Sequence, residues 1–167
     1  MKYKLTKNKK TIKEITLYQI EALKDFLNVK KGDLGGWIEK ESNLSHRGDC
    51  WVFGNARVFG NAQVSSNAMV SGNAIVSGDA WVSGSAEVTG DARVYGDAWV
   101  YGDARVSGDA WVSGDAIVCD NAQVSGDARV SGDAWVSGDA WVYGDARVSG
   151  NVRVYGDAEI SGNAIIN

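Results

Sequence analysis

Proline is absent from the 167 residues, histidine occurs once, cysteine twice, and no lysine lies beyond Lys40. Each shortage excludes something. With no proline and 21 glycines set at a fixed period, the chain reads as regular turns, not as a disordered linker. No apolar run approaches the ~18 residues of a membrane span. The opening stretch MKYKLTKNKKTIKEITLYQI is basic but has no apolar h-region or small-residue cleavage site. A cytoplasmic location, with no membrane partner, is therefore expected. There is no P-loop, dinucleotide fingerprint or metal-spaced Cys/His cluster. No serine has a base visible beside it in the sequence.

What is present is unevenly distributed. Residues 1–49 hold eleven Lys/Arg against seven Asp/Glu, and residues 50–167 hold six Arg against fourteen Asp/Glu, within a net charge of −4. The predicted organisation is a basic capping segment over 1–43 and a repeat domain over 44–167.

The repeat has a period of six, as in GDARVYGDAWVYGDARVSGDAWVSGDAIV. One column is alanine from Ala56 to Ala164, broken only by Val152, and two residues later runs Val52, Val58, Val64 and onward to Ile166. Residues at i and i+2 share one face of a strand. A six-residue repeat would scatter around a helix, so each hexad is a short inward-facing strand followed by a bend at Gly-Asp or Gly-Asn. Asp and Asn are expected to tolerate the left-handed region and to bond nearby amides. Cys50 and Cys119 then fall about four coils apart, roughly 19 Å at ~4.8 Å per coil. That exceeds the ~7 Å a disulfide tolerates, so two free thiols and a reducing compartment are expected.

The pattern V-x-G-[DN]-A-x resembles the hexapeptide repeat of left-handed parallel β-helix proteins, over residues ~44–167. The segment LYQIEALKDFLNVKKGDLGGWIEKESNLSHRGDCWV resembles the entry region of YdcK-like phage and bacterial members, which carry polymer-forming or acyltransferase labels. The resemblance implies an all-β, single-stranded, left-handed triangular solenoid of about seven coils with an N-terminal β-hairpin cap. Handedness rests on the resemblance alone, and a bactofilin-like right-handed helix is the alternative. Tyr3–Lys7 and Ile12–Leu23 are read as the hairpin strands and Gly32–Gly36 as a turn. A helical stripe of Leu17, Ile20, Leu23 and Phe26 is the other reading.

Family acyltransferases commonly use a histidine base near a subunit interface and carry loops that project from a coil. Here the period never slips from 50 to 167. His46 sits at an aliphatic column position in the least regular hexad and reads as an entry-coil residue bonded at the cap. One histidine also excludes the three-histidine zinc site of γ-class carbonic anhydrases, which share the fold. The expectation is a non-enzymatic module without cofactor. Degenerate or true acyltransferase, glycan-binding and host-inhibitor readings are kept as alternatives.

Asp91, Asp109, Asp127 and Asp145 lie eighteen apart and stack along one corner, as do Asp79, Asp97, Asp115 and Asp133. The favoured reading is that each caps its turn and is screened by a neighbouring arginine. Calcium on the first set, or a cationic partner, are the alternatives. For the lysines, a solvated hairpin face is preferred over nucleic-acid contact.

The residue between Ala and Val points outward, and sorting by eighteen gives three faces. The first is mixed: Trp51, Met69, Glu87, Arg105, Gln123, Trp141, Glu159. The second is mostly basic: Arg57, Ile75, Arg93, Trp111, Arg129, Arg147, Ile165. The third carries Trp81, Trp99, Ile117 and Trp135 in consecutive coils, flanked by Tyr101, Cys119 and Tyr155. Such a row is a structural ladder, a sugar-stacking platform or an interface. Self-association as a dimer or trimer is the expected use, with a host protein as a further partner. Ile165 and Ile166 are expected to bury against another protein surface at the last rung.

Overall fold

A computed structural model describes residues 1–167. Twenty two-residue strands, from β4 (Trp51–Val52) to β23 (Ile165–Ile166), recur once per hexad. Parallel pairing links each residue to the one eighteen further on, as in Trp81↔Trp99 and Val82↔Val100. Three hexads therefore make a coil, and three sheets line a parallel β-solenoid of about seven turns. The alanine and valine columns are sealed inside along nearly the whole length. With a methyl and an isopropyl group per hexad, the interior is narrow and filled by side chains.

Glycine makes the bend. Gly78 has φ 71°, and a Cβ there would lie 2.9 Å from the Gly96 backbone nitrogen. Glycine best suits both the left-handed conformation and the close approach of the next coil. The aspartates that follow this residue do not adopt the left-handed conformation themselves, whereas Asp120, which stands in the glycine position, does. Their amides reach the next coil, as in Asp79 N–H donating to Gly96 O at 2.8 Å.

The cap differs in detail from the sequence reading. Strand β1 (Tyr3–Ile12) pairs antiparallel with β2 (Ile15–Ala22) around a tight turn in which Lys13 has φ 55°. β2 pairs with β3 (Leu34–Ile38), and Trp37–Ile38 pair parallel with Arg57–Val58. The hairpin thus extends the second face's sheet and covers the edge of its first rung. Leu17 and Ile20 belong to a strand, not a helical stripe. A register shift in β2 buries both despite their i, i+3 spacing. Gly35 and Gly36 lie within β3 and not in a turn. A Cβ on either would come within 2.6 Å of a neighbouring side chain, Ile20 for one and Val52 for the other.

The period also slips once, before residue 50. Ile38 pairs with Val58 and Leu44 with Val64, whereas Val52 pairs with Val70. Leu44 therefore takes the core column position that the sequence register assigns to His46. The corner Ser45–Asp49 carries two extra residues.

Candidate functional site

At that enlarged corner, side chains replace the backbone of a missing coil. Lys2 is only 1% exposed, and its Nζ donates to Cys50 O at 2.7 Å and Gly48 O at 3.3 Å. Asn43 Nδ2 donates to Ala62 O at 2.9 Å and Gly60 O at 3.1 Å. Tyr3 Oη donates to Leu44 O at 2.7 Å and Glu41 O at 3.0 Å. Burial, then the charge of Glu41, holds the Tyr3 phenol far above its ordinary value. The carbonyls of the first rung need donors, and these three residues supply them.

His46 belongs to this cap. Its ring stacks on Tyr3 at 4.3 Å, and Nδ1 accepts the Lys2 amide at 3.2 Å. Nε2 is buried without a partner. An imidazole acting as a base needs a free lone pair facing substrate. Here the accepting nitrogen is occupied by the backbone.

On the second face, the guanidiniums of Arg93 and Arg129 each lie 5.0 Å from the Trp111 ring. Asp109, Asp127, Asp145, Trp111, Arg129 and Arg147 line a shallow cleft of about 320 Å³. None of the corner aspartates forms an ion pair with an arginine. The ion pairs are Lys4–Glu21 and Lys30–Asp25, both in the cap. Arg93 and Arg129 lie over the Trp111 ring instead. Asp91, Asp109, Asp127 and Asp145 do line one corner, but nowhere do three acidic, histidine or cysteine side chains converge as a metal site would require. Asparagine is what pairs with the aspartates. Asn61, Asn73 and Asn121 each donate to the aspartate one coil on, at 2.9 Å.

The third face is the apolar one. Trp81, Trp99 and Trp135 are 42%, 47% and 36% exposed, with Ile117 half-buried between the last two. Trp81 and Trp99 stack at 5.3 Å and 19°. Arg153 lies 5.3 Å from the Trp135 ring. Cys119, in the column expected to point outward, is buried, and Trp135 Nε1 donates to its Sγ at 3.2 Å. The hydrogen bond to Cys119, then burial and the neighbouring charges, push the Tyr101 phenol up to about 12. Tyr155 and Ile165 are well exposed and Ile166 half-buried. Trp51, read as outward-facing, is instead sealed under the cap by Tyr3 and Phe26.

The repeat geometry has a counterpart among known families. The family described as YdcK Beta solenoid repeat matches residues 52–84, 100–120, 122–138 and 140–159, more than half of the chain. The chain belongs to this family. A stretch of 43 residues is 44% identical to the uncharacterized acetyltransferase YdcK of Escherichia coli strain K12. That stretch covers 26% of this chain and 13% of the relative. The likeness to the E. coli protein is thus local. In this YdcK-type solenoid, the residues that sequence reasoning missed are Lys2, Tyr3 and Asn43. Their signal is the two-residue slip before Cys50, which an alignment on six residues hides.

Proposed function

We propose that this chain is a non-enzymatic structural or interaction module that self-associates through its third face. The observation that carries the reading is the row of exposed Trp81, Trp99 and Trp135 on a rigid sheet. An uncovered apolar patch beyond a few hundred Å² more often marks an interface than a free surface. Trp51, at the equivalent hexad position on the first face, is covered by the chain's own cap. Stacking supports a protein contact over a sugar platform. Trp81 and Trp99 each turn one ring face toward the other, which leaves that pair fewer free π faces for a sugar.

The occupied His46 Nδ1 supports the non-enzymatic part. The competing reading is acetyl transfer, which is favoured by the local likeness to the E. coli protein. His46→Ala is expected to leave every activity of the chain unchanged. Saturable acetyl-CoA turnover that vanishes in this variant would overturn the proposal. No helix is long and apolar enough to cross a membrane. Two free buried thiols support a reducing, cytoplasmic setting.

Trp99→Glu combined with Trp135→Glu is the direct test of the interface. The double variant should sediment as a monomer while its β-type circular dichroism persists. A wild-type chain that is itself monomeric at high concentration would sink the self-association reading.

A further inference from the structure

The cap holds a lysine and a cysteine in a relation that the solenoid does not need. Lys2 Nζ lies 3.1 Å from Cys50 Sγ, and both side chains are sealed from solvent. The two carbonyls that Lys2 serves account for its burial. The sulfur contact is additional. The thiol sits among the carbonyls of Ser45, Arg47 and Val64 at 3.4–3.8 Å, under the enlarged corner. No carboxylate pairs with the ammonium, since the cap's two ion pairs are Lys4–Glu21 and Lys30–Asp25. A nucleophilic amine and an oxidisable sulfur are therefore held together with no competing acid between them.

We propose that Lys2 and Cys50 form an oxidant-dependent covalent lock between the N-terminus and the first rung. A peroxide supplies the oxidising equivalents. The Cys50 thiol takes one oxygen from hydrogen peroxide, giving a sulfenic acid and one water. Lys2 Nζ, having released a proton, then attacks the sulfur. The S–N bond forms, the S–O bond breaks, and a second water leaves with the remaining amine proton. The sum is Lys–NH3+ plus Cys–SH plus H2O2 giving Lys–NH–S–Cys, two waters and a proton. Sulfenic acids condense with nitrogen in this way. Two thiols reverse the bond. The first attacks sulfur and releases the amine, and the second resolves the mixed disulfide.

The lock joins residues 48 apart in sequence. Closing a loop of that length restricts the unfolded chain, so the oxidised cap should resist unfolding. Burial pushes the Cys50 thiol up and the Lys2 ammonium draws it partly back. Oxidation in the closed cap is therefore slow. Peroxide reaches the sulfur when the residues ahead of β1 lift, and the bond forms as they settle.

Cys119 is an internal control. It is equally buried but has Trp135 and Tyr101 for neighbours, and every lysine lies at or before Lys40. The full-length wild-type chain is treated with hydrogen peroxide, its remaining thiols are alkylated, and the digest is read by mass spectrometry. The expected product is a peptide joining Lys2 to Cys50, two hydrogens lighter than its parts and released by dithiothreitol. It should be absent from Lys2→Arg and Cys50→Ser. The treated wild type should unfold at higher denaturant and return to its starting midpoint after reduction. Cys50 recovered as a free thiol or a sulfinic acid, with the Lys2 peptide unmodified, overturns the proposal. This outcome is read on the wild type, so it does not depend on either variant folding.

Discussion

At residues 66 and 120 the hexad has lost its glycine but kept its bend. Ser66 and Asp120 both hold φ 60° where the other coils place glycine. A non-glycine residue in that region costs roughly 1–2 kcal/mol. Ser66→Gly should therefore raise the midpoint of urea unfolding by an amount corresponding to about 1 kcal/mol. Asp120→Gly should gain less, because Asp120 Oδ2 also accepts the Gly138 amide at 3.1 Å. The converse change, Gly84→Ala, sets a Cβ 2.7 Å from the Gly102 backbone and should destabilise by more. A second residue-scale prediction concerns the corner column. Each native Asn-to-Asp step carries a hydrogen bond, whereas consecutive aspartates repel by ~1 kcal/mol at ~4.8 Å in water. Asp109→Asn should place a donor beside Asp127, raise the melting temperature, and make it less sensitive to salt. A melting temperature that falls would show that the carboxylate column has a use the repeat does not reveal.

At the scale of elements, the solenoid strands and the cap were legible to different degrees, for a physical reason. Up to the last coil, each solenoid strand satisfies its backbone with the next copy of itself. One alignment on six therefore placed twenty strands and their three faces. The cap has no copy to pair with and uses individual side chains. Lys2 stands in for a backbone amide at Cys50 O, and Asn43 does so at Ala62 O. Nothing in a lysine near the N-terminus announces that role. The same cause moved His46 off its column and hid Trp51 under Phe26. Asn43→Ala should leave the carbonyls of Gly60 and Ala62 without those donors and cost about 1–3 kcal/mol, read as loss of hydrogen-exchange protection in the first coils before the last. The phenols give the cap and third face a signature at alkaline pH. Tyr3 and Tyr101 keep protons that an unfolded chain releases near pH ~10. Their contribution to stability is intact below that pH and is lost as pH rises through the folded values. Tyr3→Phe should weaken this alkaline loss, and thermal melts between neutral and alkaline pH would show it. An unchanged slope in the variant would mean that Tyr3 ionises freely.

For the whole molecule, the open question is which surface meets a second copy, and charge separates the answers. The third face is edged by carboxylates, with Asp97, Asp115 and Asp133 on one corner and Asp103 and Asp139 on the other. Two copies joined through Trp81, Trp99 and Trp135 bring like-charged edges together. Added salt screens those edges over the ~8–10 Å Debye length of ordinary buffers. It leaves apolar burial intact. The sedimenting mass at fixed protein concentration should therefore rise from low to moderate salt. The lysine-rich β1 edge set against the acidic solenoid of a neighbour predicts the opposite, because screening weakens complementary charges. The two contacts also differ in which substitution breaks them. Trp99→Glu with Trp135→Glu removes the first, and Lys7→Glu with Lys9→Glu removes the second. A mass that falls with salt, and that the tryptophan variant leaves unchanged, would move the interface from the third face to the cap.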